Sequence, residues 1–464
     1  MRILLFGSVF LSAAFLVSAT NVTQVASFQA GNGGWHMGTL AVGNLDNDPQ
    51  LEVVVPYRDS EGRWHLDAFK WNGTRLPGFP YSSGYEEMNT SPTLFDLDGD
   101  GKMEILFTRG DKVIALRGNG SLVWSNAVTY QNYIPNGGFM ALTNGFYWTS
   151  DHQFHPTLPP ATVFSSQFSS PIVADFNGNG SLEVATAWKI DPDPVGNHQD
   201  YNPFINDIFG LGEWGTVGES WSGGVVYFNA RTGAKSFVYH ILQLVEAGLA
   251  VGRSHHAKPL HTYVLNDSDS IVAFDKSKPH GFHGNGMLHG MFGKNLRLTT
   301  GFYKQGIDVY ASDVDGDGLD EVLSVTTQYN CLWQPSESML DDDGSLIWRR
   351  WKSDINITNN HGWFNNAGMF AINPDNNNRI DVISFTHSHE INFREWDGVN
   401  FVDRPGWPKN FAPFLPTPPV VGDVTGDGEQ DVVIGTYEPS QTPSSGSLYV
   451  FGLDGTLKRQ LNVP

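Results

Sequence analysis

The chain has 464 residues, of which 40% are hydrophobic and 17% are charged, so a disordered polyelectrolyte is excluded. Its formal net charge is -21, with 49 acidic and 28 basic residues, and no Lys/Arg cluster offers a track for phosphates. Nucleic acid is therefore not expected as a partner. The 51 glycines and 26 prolines favour many turns, and hence short strands over long helices.

Residues 1–19 are predicted to be a secretory signal peptide. Arg2 supplies a positive charge, residues 3–17 are nearly all apolar or small, and Val17-Ser18-Ala19 fits a cleavage site after Ala19. The alternative is an uncleaved anchor helix. No later segment reaches the roughly 18 apolar residues of a membrane helix, so no transmembrane segment is expected in the mature chain. We expect a secreted, periplasmic or cell-surface protein without intrachain disulfides, because Cys331 is the only cysteine.

Six nine-residue stretches share one acidic pattern. The clearest are "DVDGDGLDE" at 313–321 and "DLDGDGKME" at 96–104, and looser copies begin at residues 44, 175, 373 and 423. Side chains with oxygen atoms occupy positions 1, 3 and 5, and a carboxylate occupies position 9. The candidate metal ligands are Asn44, Asp46, Asp48 and Glu52; Asp96, Asp98, Asp100 and Glu104; Asp175, Asn177, Asn179 and Glu183; Asp313, Asp315, Asp317 and Glu321; Asn373, Asp375, Asn377 and Asp381; and Asp423, Asp427 and Asp431.

A second motif alternates with these loops. β-branched and apolar runs such as "VLSV" and "ILFT" follow each loop and predict buried strands. Seven short aromatic strands with a glycine turn or a related turn, from "LDAFKWNG" at Leu66 to "LYVFGLDG" at Leu448, then interleave with the loops. Only the unit at Ile271 lacks a good loop, with the degenerate "LNDSDS" before it. Four strands per unit predict a seven-bladed β-propeller over residues 20–464; separate β domains are the alternative.

Two features depart from the repeat. "ILQLVEAGLA" at Ile241–Ala250 is the best helix candidate. Residues 126–168, which are rich in aromatic residues, and residues 191–222 form long connections. Long loops on a rigid scaffold are common places for function, although such loops can also bury their own aromatic side chains.

Calcium is the metal that these loops predict. It takes six to eight oxygen ligands, and glycine at position 6 permits the tight curl that directs alternating side chains to one centre. A helix-loop-helix site would need Glu at position 12, where Ser324 and Phe107 stand inside predicted strands, so that class is excluded. The loops at Asp96 and Asp313 are expected to bind most tightly. Those at Asp175 and Asn373 could instead be metal-free turns held by side-chain hydrogen bonds.

The "D-x-D-G-D-G-x-x-E" loops resemble those of the FG-GAP or VCBS repeat family, which includes the integrin alpha propeller. The resemblance covers nearly the whole mature chain except the unit before Ile271. It implies that the loop joins the first two strands of a blade, that several calcium ions bind there structurally, and that ligands meet the opposite face. The disulfides of the animal members are absent, so an integrin-like partner does not transfer.

An enzymatic alternative rests on a histidine cluster. His280, His283 and His289 lie in a glycine-rich segment and could bind a metal or supply a base, with Arg253 or Tyr303 completing the site. A polysaccharide lyase acting on uronate-containing glycans would use such a set; loop histidines with local hydrogen bonds are the simpler interpretation. We therefore favour a monomeric binding or adhesion module for an extracellular glycan or protein ligand over an enzyme.

Overall fold

The computed structural model describes residues 40–127, 167–190, 222–253, 260–275, 304–328, 336–351, 368–386 and 390–463, with short gaps inside these ranges, and strand segments at 3–4, 11–15, 23–28, 147–148 and 154–155. Every element in this part of the chain is a β-strand, and all described pairings are antiparallel. A search of the same residues finds no helix with the length and hydropathy to span a membrane. Two compact units divide the chain: a first-half unit (29–245 and 274–287) and a second-half unit (1–28, 246–273 and 288–464).

A small sheet comes first in the chain and belongs to the second-half unit. Its strands are β1 (Ile3–Leu4), β2 (Leu11–Phe15) and β3 (Thr23–Phe28), in the order β1-β2-β3. The first two lie inside the predicted signal peptide, whose cleavage after Ala19 stays a prediction.

Three four-stranded antiparallel sheets, here called blades, form the first-half unit. Blade 1 contains β4 (Ala41–Gly43), β5 (Glu52–Arg58), β6 (Trp64–Phe69) and β7 (Tyr81–Gly84). Blade 2 contains β8 (Thr93–Phe95), β9 (Glu104–Arg109), β10 (Lys112–Leu116) and β11 (Leu122–Ala127), and a hairpin of β12 (Tyr147–Trp148) and β13 (Phe154–His155) follows. Blade 3 contains a split outer strand, β14 (Gln167–Phe168) and β15 (Ile172–Ala174), then β16 (Glu183–Ile190), β17 (Ser222–Asn229) and β18 (Lys235–Ile241).

The second-half unit contains a three-stranded sheet and three further blades. The sheet consists of β19 (Val245–Gly252), β20 (His261–Asn266) and β21 (Ile271–Asp275). Blade 4 contains β22 (Lys304–Ser312), β23 (Glu321–Gln328), β24 (Ser336–Leu340) and β25 (Leu346–Trp351). Blade 5 contains β26 (Gly368–Ile372), β27 (Asp381–Thr386), β28 (Glu390–Trp396) and β29 (Phe401–Asp403), and the short β30 (Lys409–Asn410) also pairs with β28. Blade 6 contains a split first strand, β31 (Leu415–Pro416) and β32 (Val420–Gly422), then β33 (Asp431–Glu438), β34 (Ser445–Gly452) and β35 (Leu457–Val463).

All six blades have the strand order that the sequence predicts. The acidic loop joins the first strand to the second. The aromatic segment includes the third strand in five blades, whereas in blade 4 the segment that begins at Leu340 starts at the end of the third strand and continues into the fourth. The second strand lies between two partners and is buried along most of its length, as in β5, where only Arg58 is exposed. This burial explains why the runs after the loops are almost continuously apolar. The all-β class and the four-stranded antiparallel propeller blades are therefore confirmed.

The predicted number of blades is wrong, because the described residues form six four-stranded blades and not seven. The unit at Ile271 forms the three-stranded sheet β19-β20-β21 instead. The segment "LNDSDS" spans the end of β20 and the short link to β21, so it joins a second strand to a third and is not a degenerate acidic loop. The sequence pattern had assigned this segment to the wrong connection.

The helix predicted at Ile241–Ala250 is also wrong. β18 ends at Ile241, and β19 begins at Val245 and pairs with β20. Val245, Val251, Gly248 and Gly252 are weak helix formers, and pairing within a sheet decides the conformation of such a short segment.

Tryptophans connect neighbouring blades inside each unit. Trp124 of blade 2 stacks on Phe228 of blade 3 with 6.0 Å between ring centroids, and its Nε1 donates to the carbonyl oxygen of Ala230 at 2.8 Å. Trp407, which follows β29, packs edge-on against Phe451 of blade 6, and its Nε1 donates to the Leu453 oxygen at 3.0 Å. Each ring fills apolar space while its only polar atom bonds the turn after a third strand.

Glycines allow the turn after a third strand to lie close to the backbone of the preceding blade. Gly78 lies against the backbone of Asn119 and Gly120, and Gly406 lies against the backbone of Asp454 and Gly455. A side chain at either position would meet backbone atoms of the neighbouring turn, which cannot move aside as a flexible side chain could. The segments "PGFP" and "PGWP" at 77–80 and 405–408 therefore mark the contact between blades.

We predict that Gly78→Ala destabilises the protein more than Gly84→Ala. Both glycines have positive φ (84° and 66°), so both substitutions carry the left-handed penalty of about 1–2 kcal/mol. Only the new Cβ at residue 78 meets a neighbouring backbone, whereas nothing lies within 4 Å at residue 84. The excess should be about 1–3 kcal/mol in denaturant unfolding. Equal losses for the two variants would contradict the backbone contact.

Candidate metal centres

Five of the six acidic loops close through one repeated hydrogen bond. The carboxylate at position 9 accepts from the backbone N–H at position 2, and the residue at position 2 is a buried apolar side chain. These bonds are Leu45 to Glu52 (2.8 Å), Leu97 to Glu104 (2.9 Å), Phe176 to Glu183 (3.1 Å), Val314 to Glu321 (2.6 Å) and Val424 to Asp431 (2.9 Å). The sixth loop has Pro374 at position 2, which carries no N–H to donate.

The aspartate at position 1 shapes the curl of the loop. In the loop at Asp313, Oδ1 accepts from the N–H of Gly316 at 2.7 Å and Oδ2 accepts from that of Gly318 at 3.0 Å. Gly318 has a φ of 93°, as expected for position 6. Each carboxylate oxygen can accept more than one bond, so these contacts leave capacity for a cation.

Three loops bring carboxylates together at one point. In each, one oxygen from each of three residues lies within 4.8 Å of the others. The groups are Asp46, Asp48 and Glu52; Asp96, Asp98 and Glu104; and Asp313, Asp315 and Glu321. Asp100 and Asp317, which the sequence predicts as further ligands, are not in these groups; their Oδ1 atoms accept the N–H of Lys102 and Leu319, each at 2.8 Å.

Two buried oxygens in these groups, and one of Asn44 in the first loop, lack a hydrogen-bond partner among the described residues. Oε1 of Glu321, Oε1 of Glu52 and Oδ1 of Asn44 have no hydrogen bond within the described part of the chain, and both glutamates are 0% exposed. Burial raises the pKa of Glu321 to about 7 and raises the pKa of Glu52 and Glu104. A buried carboxylate with a free oxygen beside further carboxylates is a donor set that fits a hard divalent cation such as calcium.

The loop at Asp175 satisfies its carboxylate differently. Nδ2 of Asn177 donates to Oε1 of Glu183 at 2.9 Å, so both oxygens of this glutamate are hydrogen-bonded. Asn179 at position 5 accepts the N–H of Ser181 at 2.8 Å. This arrangement matches the metal-free turn that the sequence left open for this loop.

Basic side chains near three loops were missed by the sequence reasoning. Lys70 approaches the loop at Asn44, with Nζ 2.7 Å from Oδ2 of Asp46 and 2.6 Å from Oδ2 of Asp48. Arg404 and Lys458 approach the loops at Asn373 and Asp423. Lys70 directly follows the third strand β6, Lys458 is the second residue of the fourth strand β35, and Arg404 directly follows the fourth strand β29. Because the three cations occupy different places in the repeat, no single sequence position identifies them.

The loop at Asp313 is anchored to the three-stranded sheet of its own unit. Asp320 at position 8 accepts the N–H of Arg253 at 2.6 Å and returns its own N–H to the Arg253 carbonyl at 2.7 Å. The guanidinium group of Arg253 also lies 3.3 Å from Asp320. Arg253 is therefore engaged in a structural contact. His280, His283, His289 and Tyr303, the other residues of the lyase hypothesis, lie outside the described residues.

The two ends of each blade carry different connections between strands. Antiparallel strands alternate in direction, so the acidic loop and the turn between strands three and four share one end of a blade. The connections from strand two to three, and from strand four to the next blade, leave from the other end. Residues 191–221 link β16 to β17, and residues 352–367 link β25 to β26, so these long connections leave from the end away from the loops.

Comparison with known proteins shows similarity only at the level of solved structures. No family model and no curated protein matches the sequence. BBS1N in complex with ARL6DN matches at 10% identity over 98% of this chain and 97% of that chain, with a TM-score of 0.46. The rhamnogalacturonan lyase YesW matches at 13% identity over 97% of this chain and 72% of that chain, with a TM-score of 0.43. The BP39L lectin from Burkholderia pseudomallei matches at 9% identity over 93% of this chain and 100% of that chain, with a TM-score of 0.43. These values are too low to assign a function.

We predict that the effect of Glu321→Gln on stability changes sign with calcium. At pH 8 in chelator, the charged and partly unsatisfied carboxylate lowers the free energy of unfolding by about 1–3 kcal/mol. Replacing it with glutamine should therefore be neutral or stabilising. With calcium present, the variant loses a ligand and should melt below the wild type. Glu183→Gln is the matched control, since both oxygens of Glu183 already accept hydrogen bonds. Thermal melts of both variants in both buffers measure this, and a Glu321→Gln shift of one sign in both buffers would contradict it.

Proposed function

We propose that this chain is an exported, calcium-stabilised propeller protein of the FG-GAP or VCBS type that binds an extracellular glycan or protein. The observation that carries the proposal is the loop at Asp313. There Glu321 is fully buried, one of its oxygens has no partner, and Asp313 and Asp315 lie beside it. Three carboxylates converging on a buried, unsatisfied oxygen would repel one another without a cation.

The metal in this proposal has a structural role. The calcium would be held by Asp313, Asp315 and Glu321, and by the equivalent groups at Asp96 and Asn44. Each loop joins the first two strands of its blade, so a cation there would fix the turn without reaching the opposite end. The repeat pattern and the predicted signal peptide support the family and the export, which both remain part of the proposal.

The ligand is assigned to the end of the blades opposite the loops. The long connections leave from that end, and they include the aromatic-rich segment after β11 and the residues between β16 and β17. Aromatic side chains on such connections supply stacking surfaces for sugars or anchors for proteins. The lyase alternative stays an untested hypothesis: Arg253 is paired with Asp320, and its other residues lie outside the described residues.

We predict that calcium raises the melting temperature and that chelation lowers it. Each site that binds only the folded chain adds about 2.7 kcal/mol of stability when free calcium is 100-fold above its Kd. Differential scanning fluorimetry in calcium, magnesium and EDTA tests this, since a site with several carboxylates in a flexible loop should prefer calcium to magnesium. An unchanged melting temperature across the three buffers would reject the structural metal.

We predict that a ligand found on glycan and protein arrays binds away from the acidic loops. A bulky polymer attached through a cysteine at Glu61, in the turn between β5 and β6, should reduce binding. The same polymer at Asn119, in the turn between β10 and β11, should not, because that turn shares the end of the acidic loops. Both side chains are exposed, and Cys331→Ser provides the background. Loss of binding only for the Asn119 conjugate would reverse the assignment.

A further inference from the structure

The ammonium group of Lys458 contacts two carboxylates of the loop at Asp423. Its Nζ is 2.8 Å from Oδ1 of Asp431 and 2.7 Å from Oδ2 of Asp427, the carboxylates at positions 9 and 5. Asp431 is 0% exposed, and its other oxygen accepts the N–H groups of Val424 and Thr425. Oδ1 of Asp431 accepts no hydrogen bond of good geometry among the described residues, but the ammonium group lies at ion-pair distance from it. No basic side chain is described at that distance from Glu321 of the equivalent loop.

Arg404 takes the same place in the loop at Asn373. Its Nε lies 2.6 Å from Oδ1 of Asp381, and its Nη2 lies 2.7 Å from Oδ2, so the guanidinium grips the position-9 carboxylate with two parallel bonds. Nη2 is also 2.6 Å from Oδ2 of Asp375 at position 3. Because Pro374 cannot donate to Asp381, these bonds also replace the missing backbone contact.

The other loops show what this contact changes. In the loop at Asp96, Lys102 contacts only the exposed carboxylate of Asp100, at 3.3 Å, and Arg117 lies 3.8 Å from Asp98; no described basic side chain meets Glu104. In the loop at Asn44, Lys70 touches Asp46 and Asp48, while Oε1 of Glu52 has no partner among the described residues. A cation at ion-pair distance from position 9 thus distinguishes the loops at Asn373 and Asp423 from the three loops with converging carboxylates.

We propose that Lys458 and Arg404 are built-in cations that replace calcium in the loops at Asp423 and Asn373. Each places nitrogen at hydrogen-bond distance from two carboxylates, one of them fully buried, which is where a metal ion would have to bind. A calcium ion there would meet both an occupied position and a like charge in a partly buried site. The number of acidic residues therefore overstates the number of metal sites, and the loop at Asp423 does not bind metal although it has three carboxylates.

The inference rests on the proposed function only for the number of bound calcium ions, so the deciding measurement of the first test is made in EDTA, without calcium. Lys458→Met should lower the melting temperature in EDTA by at least about 2 °C, because Asp431 loses its counter-ion. Lys102→Met is the matched control, since it removes an edge contact of one exposed carboxylate and should change the melting temperature little. Adding calcium should recover most of the Lys458→Met loss, because the vacated loop now accepts the ion. Equal melting temperatures for the two variants in EDTA would overturn the proposal.

A second test measures bound calcium in folded, wild-type-like proteins. Asp427 and Asp315 are both loop carboxylates near the surface, and each can be changed to Asn without opening the core. After equilibrium dialysis and elemental analysis, Asp315→Asn should lose about one calcium ion per chain, and Asp427→Asn should lose none. A loss of one ion in Asp427→Asn would overturn the built-in cation.

The two proposals can fail separately. If the wild type binds no calcium, the metal part of the proposed function fails, while the Lys458→Met melt in EDTA still decides whether the lysine acts as a counter-ion. If the wild type binds calcium and both Asp427→Asn and Asp315→Asn lose an ion, the proposed function stands and the replacement by Lys458 is wrong.

Discussion

The rest of each blade depends on a carboxylate buried at the first residue of its second strand. This strand lies between two others, so its first side chain points into the packed interior of the blade. In five of the six blades it accepts from there the N–H of position 2, whose apolar side chain is itself buried, as in Leu97 and Glu104. One bond therefore fixes both the curl of the loop and its attachment to the core. The consequence is a charge inside the protein, which requires a compensating partner in every blade.

The blades provide that partner in different ways, and all of them lie at one end. Asn177 offers an amide, Lys458 an ammonium group, and Arg404 a guanidinium group that also replaces the donor lost at Pro374. The turn after the third strand shares this end, and in the contacts described its glycines leave no room for a side chain. Because charge compensation and blade packing both use this end, sequence variation there is constrained. The opposite end carries no such requirement, which explains why the long connections leave from it.

Local sequence patterns correctly predicted the features that depend on one short segment, such as a single loop or strand. The spacing of Asp313, Asp315 and Glu321 identified a loop leading into a strand, and the aromatic runs identified the third strands of every blade except blade 4. Contacts between distant segments were not predicted: Lys458 is 31 residues from Asp427, and Arg404 is 23 residues from Asp381. Only the pairing of strands brings these groups together, so a count of acidic residues in one loop cannot reveal them. The prediction of a blade at Ile271 was wrong for a related reason. An acidic stretch alone does not show which two strands it connects.

The replacement of a divalent metal by a single side-chain charge has consequences for how the chain responds to its surroundings. A lysine or arginine is covalently attached, so its local concentration does not depend on the medium, whereas an ion is lost when free calcium falls below its Kd. Under the assignment proposed above, blades 2 and 4 depend on calcium, while blades 3, 5 and 6 carry their own donors. Blade 1 is intermediate, because Lys70 contacts Asp46 and Asp48 but not Glu52. Loss of calcium would then loosen particular turns and leave others intact. Both units contain blades of each kind, so neither would depend wholly on the metal.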